Sequence, residues 1–521
     1  MRYIVLFLLI LLSSCHQTQQ NVARINMQHE PHTLDPRRAR DLQAMTIAKM
    51  VFEGLTRVNA DEKAELAMAE KVDISSDGKI YTITLRKAKW SSGEEVTAHD
   101  FSYAWKKVLE PTFPADQAFQ LYVIKNAKSA KEGKASTDQV GIQALDNQTL
   151  QVELDHPIPY FLDLVALPIF FPISQKVDEA YPQWMHDGQH LVGNGPFALK
   201  EWKHNDLMRM EKNPSYWDSD QVKLKELHLV MVSEDTELKM FEKGELDWAG
   251  SPLSTLPVTV LPHLKEKGQL QVKPFLATYF FRTNVESVPF SHPLMRKAFA
   301  MAIQRQEIVE HVTQGNQLPA TGLLPPALGV AERPYFRDGD IEMAKAAFEE
   351  ALTALNQQRE TLPPLSLMYV AGDRNHLIAQ AVQEQWRKAL GVTVQLQAVE
   401  RKVYFDQISK KNYQLAAGSW TADFKDPINF LEVFKFKAGG SNNTAWENLR
   451  YRELLNEASL VKETKKRNEL FHECEEILIG EMPIIPLFHF TMLYMTHHIK
   501  NVALSSLGGI DFKWAEVEKT K

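Results

Sequence analysis

The stretch Gly418–Pro427, GSWTADFKDP, sets one acid, Asp423, between two large rings, Trp420 and Phe424, directly after an apolar run. A carboxylate pressed against aromatic surface loses hydration, which is costly unless a cation or hydrogen-bond donors meet it. Four roles are open to it: a surface loop, a structural ion pair with a neighbour such as Lys425, a catalytic carboxyl, or the anchor for a cationic ligand. The catalytic role lacks company. The chain has no Gly-x-Ser-x-Gly elbow, no His-Glu-x-x-His pair and no P-loop. Its 17 histidines are scattered, and His489, His497 and His498 do not have ligand-like spacing. HFTMLYMTHH, with Met492 and Met495, alternates as a strand does. These absences leave an enzyme, a secreted peptidase for instance, as the rival class, and no catalytic group, metal or cofactor is expected.

The segments around Asp423 determine where it sits. PLSLMYV (364–370) is a strand, HLIAQAVQEQWRKAL a helix stopped by Gly391, VTVQLQAVE a strand, RKVYFDQISKK a short helix and YQLAAGSW a third strand. Strands separated by helices of this length imply parallel pairing with right-handed crossovers. Ligands of open parallel sheets lie outside the carboxyl ends of the strands. Those ends carry Gly372, Asp373, Arg374 and His376, then Glu400 and Arg401, then Trp420, Thr421 and Asp423. Earlier in the chain, IYTITLRK alternates Tyr81, Ile83 and Leu85 inward. TAHDFSYAWKKVLEP reads as a helix capped by Thr97, with Phe101, Ala104, Trp105 and Val108 on one face. KELHLVMVSEDTELKMFEKGELDWAG reads as strand, helix, strand, with Gly244 closing the helix.

The chain has 521 residues, enough for about three domains, and a net charge of −7 with no basic tract, which points away from nucleic acid. MRYIVLFLLILLSSC opens with Arg2 and an apolar run that is too short to span a bilayer, the pattern of a signal peptide. Its end, Leu12-Ser13-Ser14-Cys15, resembles the lipobox of bacterial lipoproteins, which implies cleavage before Cys15 and acylation of its thiol. The mature chain is then held at the membrane through lipidated Cys15, in the periplasmic cell envelope. The other cysteine, Cys474, lies in an amphipathic helical pattern and is expected to be a packed residue.

Several blocks in order carry a wider resemblance. EPHTLDP (30–36), VFEGLTRV, LRKAKWSSGEEVTAHDFSYAWKKVLEP and NGPFALKEWKHNDLMRMEKNPSYWD together are similar to the oligopeptide-binding, OppA-type solute receptors (family 5) of bacterial ABC importers. The resemblance spans nearly all of the mature chain. It implies an α/β, two-lobed periplasmic-binding-protein fold of type II, with an extra domain inserted in lobe 1. The implied partition is a signal peptide (1–14), a lipidated linker (15–24), domain I (25–55, 188–275 and 497–521), inserted domain II (56–187) and domain III (276–496). It also implies a monomer that binds extended oligopeptides between the lobes by strand addition and delivers them to ABC permease subunits. GSWTADFKDP matches the stretch whose aspartate receives the peptide's ammonium, so Asp423 takes that role, with Trp420 as a pocket wall and Thr421 at the ligand backbone. Glu30 matches an acid near the peptide backbone. There are departures from the pattern. Arg401 stands where tryptophan is common, Ala417 and Ile408 replace other residues, and Asn375, followed by His376, aligns with a histidine. Arg401 is available for a ligand carboxylate, and relatives that bind murein peptides or nickel and haem complexes are the alternatives within the fold.

Overall fold

The computed structural model describes residues 21–330, 333–437, 441–461 and 463–518; the leader and Cys15 lie outside the described residues. A mixed sheet of 11 strands is the spine. One end holds the three strands expected around the site. Leu365–Val370 lies between Val394–Val399 and Leu415–Thr421 and is parallel to both. The parallel arrangement is local. Leu415–Thr421 pairs antiparallel with Gln271–Thr283, and that strand pairs antiparallel with Ile484–Thr496. Beyond these lie Trp248–Gly250, Val22–Asn26, Glu226–Val230, Leu207–Lys212 and Phe197–Lys203.

The fold has two lobes, and the two 13-residue strands Gln271–Thr283 and Ile484–Thr496 run through both. Their register shifts between Pro274 and Thr278 and again between Tyr279 and Phe280. Proline has no N–H to give to the ladder, and a bulge bends the strand that carries it. The sheet therefore turns at the crossing. Lobe 2 packs on one side of it over Phe281, Phe299, Leu367, Trp386 and Leu415. Lobe 1 packs on the other over Ile25, Phe52, Met210 and Leu227.

A second sheet of four strands, in the order Ala69–Ile74, Ile80–Leu85, Thr149–Glu153, Ile142–Ala144, stands beside lobe 1. Tyr81, Ile83 and Leu85 point inward as their alternation predicts. The helix Ala98–Val108 packs against the neighbouring strands Thr149–Glu153 and Ile142–Ala144 and buries Phe101, Ala104, Trp105 and Val108. It starts where the sequence says, because Thr97 and Asp100 form a capping box, with the Asp100 carboxylate accepting the Thr97 N–H at 2.8 Å. Trp105 donates its indole N–H to the Phe170 carbonyl at 2.7 Å, which makes a buried polar group harmless. Cys474 is buried, and burial pushes its thiol up to about 12, so it behaves as a packed side chain.

Candidate ligand-binding site

Asp423 sits just past the carboxyl end of Leu415–Thr421, where the chain turns toward the short helix Ile428–Leu431. Two neutral side chains cradle its carboxylate: Asn429 from that helix and Gln120 from the turn Ala118–Val123 beside the four-stranded sheet. Asn429 also fixes the loop, since its amide oxygen accepts the Trp420 indole N–H at 3.1 Å and the Asp423 N–H at 3.2 Å. Among the described residues no cation lies within ion-pair distance of Asp423. Burial raises its pKa, and the amide hydrogen bonds from Asn429 and Gln120 oppose that shift. The ion pair with Lys425 that the sequence allowed is not formed. The Lys425 ammonium is held by Glu62 at 2.6 Å. Glu62 also takes Lys273 of the first crossing strand at 3.0 Å and the Ser506 hydroxyl at 2.7 Å, and these partners hold its pKa down at about 2 against the cost of burial.

Asp423 lines two cavities. The larger, about 500 Å3, is walled by both lobes: Leu42, Met45 and Lys49 on one side, Arg401, Thr421 and Phe424 on the other. The smaller, about 270 Å3, lies against Trp420, Tyr160, Gln120 and Asn429. Tyr160 and Phe424 stack at 4.7 Å across the gap between the two sides. A carboxylate without a cation, in a cavity of the size that holds small ligands, has the chemistry to receive an ammonium group.

The structure brings Asp423, Trp420, Thr421 and Arg401 to these cavities. Arg401 lies over the Phe405 ring at 5.5 Å and forms no ion pair among the described residues. Three expected residues do not line either cavity. Glu30 is engaged within lobe 1, accepting the Trp202 indole N–H at 2.7 Å and the Asn205 N–H at 3.1 Å and pairing with His204 at 2.8 Å. Asn375 donates to the Val370 carbonyl at 2.9 Å, and His376 bonds the Tyr369 hydroxyl at 2.6 Å. These contacts fasten the strand end to the helix that follows it. His489 is also accounted for locally. It is buried at the strand crossing, bonds Thr278 at 2.9 Å, and desolvation pushes its pKa down to about 3. Sequence reasoning missed Gln120, Asn429 and Glu62. Asn429 had a signal, a lone amide in the apolar run Ile428–Leu431, whereas Gln120 and Glu62 reach the site only through the fold.

A sequence profile of the bacterial extracellular solute-binding proteins, family 5, matches residues 63–442. The chain belongs to this family. The oligopeptide-binding protein OppA of Bacillus subtilis is 43% identical over 497 residues, covering 94% of this chain and 91% of that protein. The structure of the Escherichia coli murein tripeptide binding protein MppA superposes with a TM-score of 0.81 at 29% identity, covering 96% and 99% of the two chains. Listeria monocytogenes OppA bound to peptide superposes at 0.78 and 27%, covering 96% and 100%. The solute-binding protein described here therefore shares the two-lobed fold of those two structures over 96% of its chain. Among its described residues no helix is long and apolar enough to cross a membrane.

Proposed function

We propose that this solute-binding protein is an extracytoplasmic receptor that captures peptides by their free amino terminus between its lobes and hands them to an ABC permease. The observation that carries the reading is the half-buried Asp423 carboxylate, cradled by amides and left without a cation in a cavity walled by both lobes. In this reading Asp423 takes the α-ammonium, Trp420 and Thr421 flank the first residue, and Arg401 stands on the cavity wall, available to ligands that carry an additional carboxylate. Glu30, Asn375 and His376 hold the surrounding loops and do not touch the ligand. The deciding experiment is calorimetric titration with peptides and their N-acetylated forms. Binding that ignores acetylation would sink the reading.

Murein peptides are the second reading, favoured by Arg401, an unpaired cation on the cavity wall that suits a ligand with an additional carboxylate. Arg401→Ala should then weaken carboxylate-rich ligands more than neutral ones. Equal effects on both would remove Arg401 from the site.

The proposed molecular organisation is the three-domain partition above, with 56–187 inserted in lobe 1, as a monomer without enzymatic activity. We further propose that acylated Cys15 anchors it to the membrane. Cys15→Ser should leave an unprocessed or unlipidated precursor. A mutant that still partitions into detergent at the normal mature mass would refute the anchor.

A further inference from the structure

The charged residues that wall the larger cavity fall into two groups. Some are neutralised by the protein: Arg40 pairs with Asp116 at 2.6 Å, Asp41 with His32, and Glu62 with Lys425 at 2.6 Å. Others have no ion-pair partner among the described residues: Lys49 and Asp163 on one side, Arg401 and Asp423 on the other. Lys49 is the more enclosed of the two cations; it is half-buried, whereas Arg401 is exposed. It lies in the last turn of the helix Leu42–Val51. The carboxylates nearby are already committed. Asp511 is bonded to the Arg57 guanidinium, and Glu53 holds Arg57 at 2.9 Å and the Tyr216 hydroxyl at 2.5 Å. Burial lowers the Lys49 pKa, Asp511 opposes this from beyond ion-pair distance, and Arg57 adds to the lowering. Gly509 lies against the ammonium, since a Cβ built there would be 2.9 Å from Lys49 Nζ, and it walls the same cavity. The absence of a side chain at 509 keeps the ammonium accessible from the cavity.

A desolvated cation whose two close acids, Asp511 and Glu53, are both bonded to Arg57 is suited to an anion from outside. We infer that Lys49 is a carboxylate-binding site of the cleft, so that the ligand is held at two points, its ammonium at Asp423 and a carboxylate at Lys49. The inference deepens the peptide reading and rests on it. It defines the ligand class as peptides that present a carboxylate within reach of their own amino terminus, either as the C-terminus of a short chain or as an acidic side chain.

The test is calorimetry on the purified protein with two sets of probes. One set is alanine peptides of two to five residues, each as free acid and as C-terminal amide. The other is the amides of Ala-Glu-Ala and Ala-Gln-Ala. The wild type should prefer the carboxylate-bearing member of at least one pair by about tenfold, the worth of one charge-assisted hydrogen bond. The pair affected tells a C-terminal source from a side-chain source. Lys49→Met should abolish that preference while leaving ligand-free melting unchanged or raised, because it removes an uncompensated charge. Gly509→Ala should reduce the preference without altering any charge. A preference that survives in Lys49→Met overturns the inference. So does a loss of affinity equal for acid and amide together with a lowered melting temperature, the behaviour of a lysine that only supports the helix end. If the wild type binds none of the peptides, the peptide reading falls first and takes the inference with it, an outcome distinct from peptide binding that is blind to the carboxylate.

Discussion

At the scale of single residues, Asp423 makes the sharpest claims. N-acetylation of a peptide removes the charge that Asp423 is proposed to meet, so affinity should fall at least ~10-fold, given roughly 1.5–3 kcal/mol for a charge-assisted bond. Asp423→Asn should lose a similar amount with free-amine peptides, and acetylation should then cost little more, because both changes break one pair. Fully additive losses in that double-mutant cycle would place the ammonium elsewhere. The raised pKa adds a dependence on pH. In the free protein Asp423 holds its proton to a higher pH than an ordinary aspartate, and an incoming ammonium favours the ionised form. Affinity should therefore fall as pH drops through that raised pKa, and binding in that window should release a proton. Calorimetry in buffers of different ionisation enthalpy measures this, and Asp423→Asn should abolish it. This residue was legible in the sequence because its signal is local: an acid, two rings and a strand end within ten residues. Its cradle was only half legible. Asn429 follows in the same loop, but Gln120 arrives from the far side of the cleft, and no spacing in the sequence encodes that approach.

At the scale of elements, periodicity and caps carried most of the information. The inward alternation of Ile80–Leu85, the Thr97 cap and the stop at Gly391, whose φ is +67°, were all readable because each depends on residues a few positions apart. The parallel trio Val394–Val399, Leu365–Val370 and Leu415–Thr421 was legible for the same reason. The two crossing strands were not, since their long antiparallel pairing joins residues some 200 positions apart and nothing local announces it. The helix Thr464–Glu481 carries a prediction of its own. Glu475 on its buried face accepts the Leu324 N–H at 2.8 Å and the Tyr335 hydroxyl at 2.7 Å, yet burial raises its pKa to about 7. A raised acid stabilises the fold fully below its ordinary value of 4.5, and that contribution is lost as pH rises through about 7. Glu475→Gln should melt higher than wild type at pH 8 and close to it at pH 5. A mutant that melts lower at both would show that the charge itself supports the Leu324 loop.

At the scale of the whole molecule, Glu62 ties three regions together: Lys425 beside the site in lobe 2, Lys273 on a crossing strand and Ser506 near the C-terminus. Glu62→Gln should weaken the contact between lobes by about 1 kcal/mol or less, since Lys425 is partly exposed. It should enlarge the ligand-free particle in small-angle scattering, while saturating ligand restores the wild-type dimension. An unchanged ligand-free envelope would mean that Glu62 serves only its own side of the cleft. The amide cradle of Asp423 has a further consequence, for the cost of transport. Gln120 and Asn429 orient the acid without neutralising it, so an empty receptor that shuts must strand a bare anion, whereas a loaded one does not. Shape then reports cargo, and a permease that responds to the shut form is spared nucleotide hydrolysis on vacant receptors. A protein lysine in the ligand's place would erase that distinction. Asp423→Asn should erase part of it, shutting more often when empty, and single-molecule energy transfer between dyes on the two lobes would count those events directly.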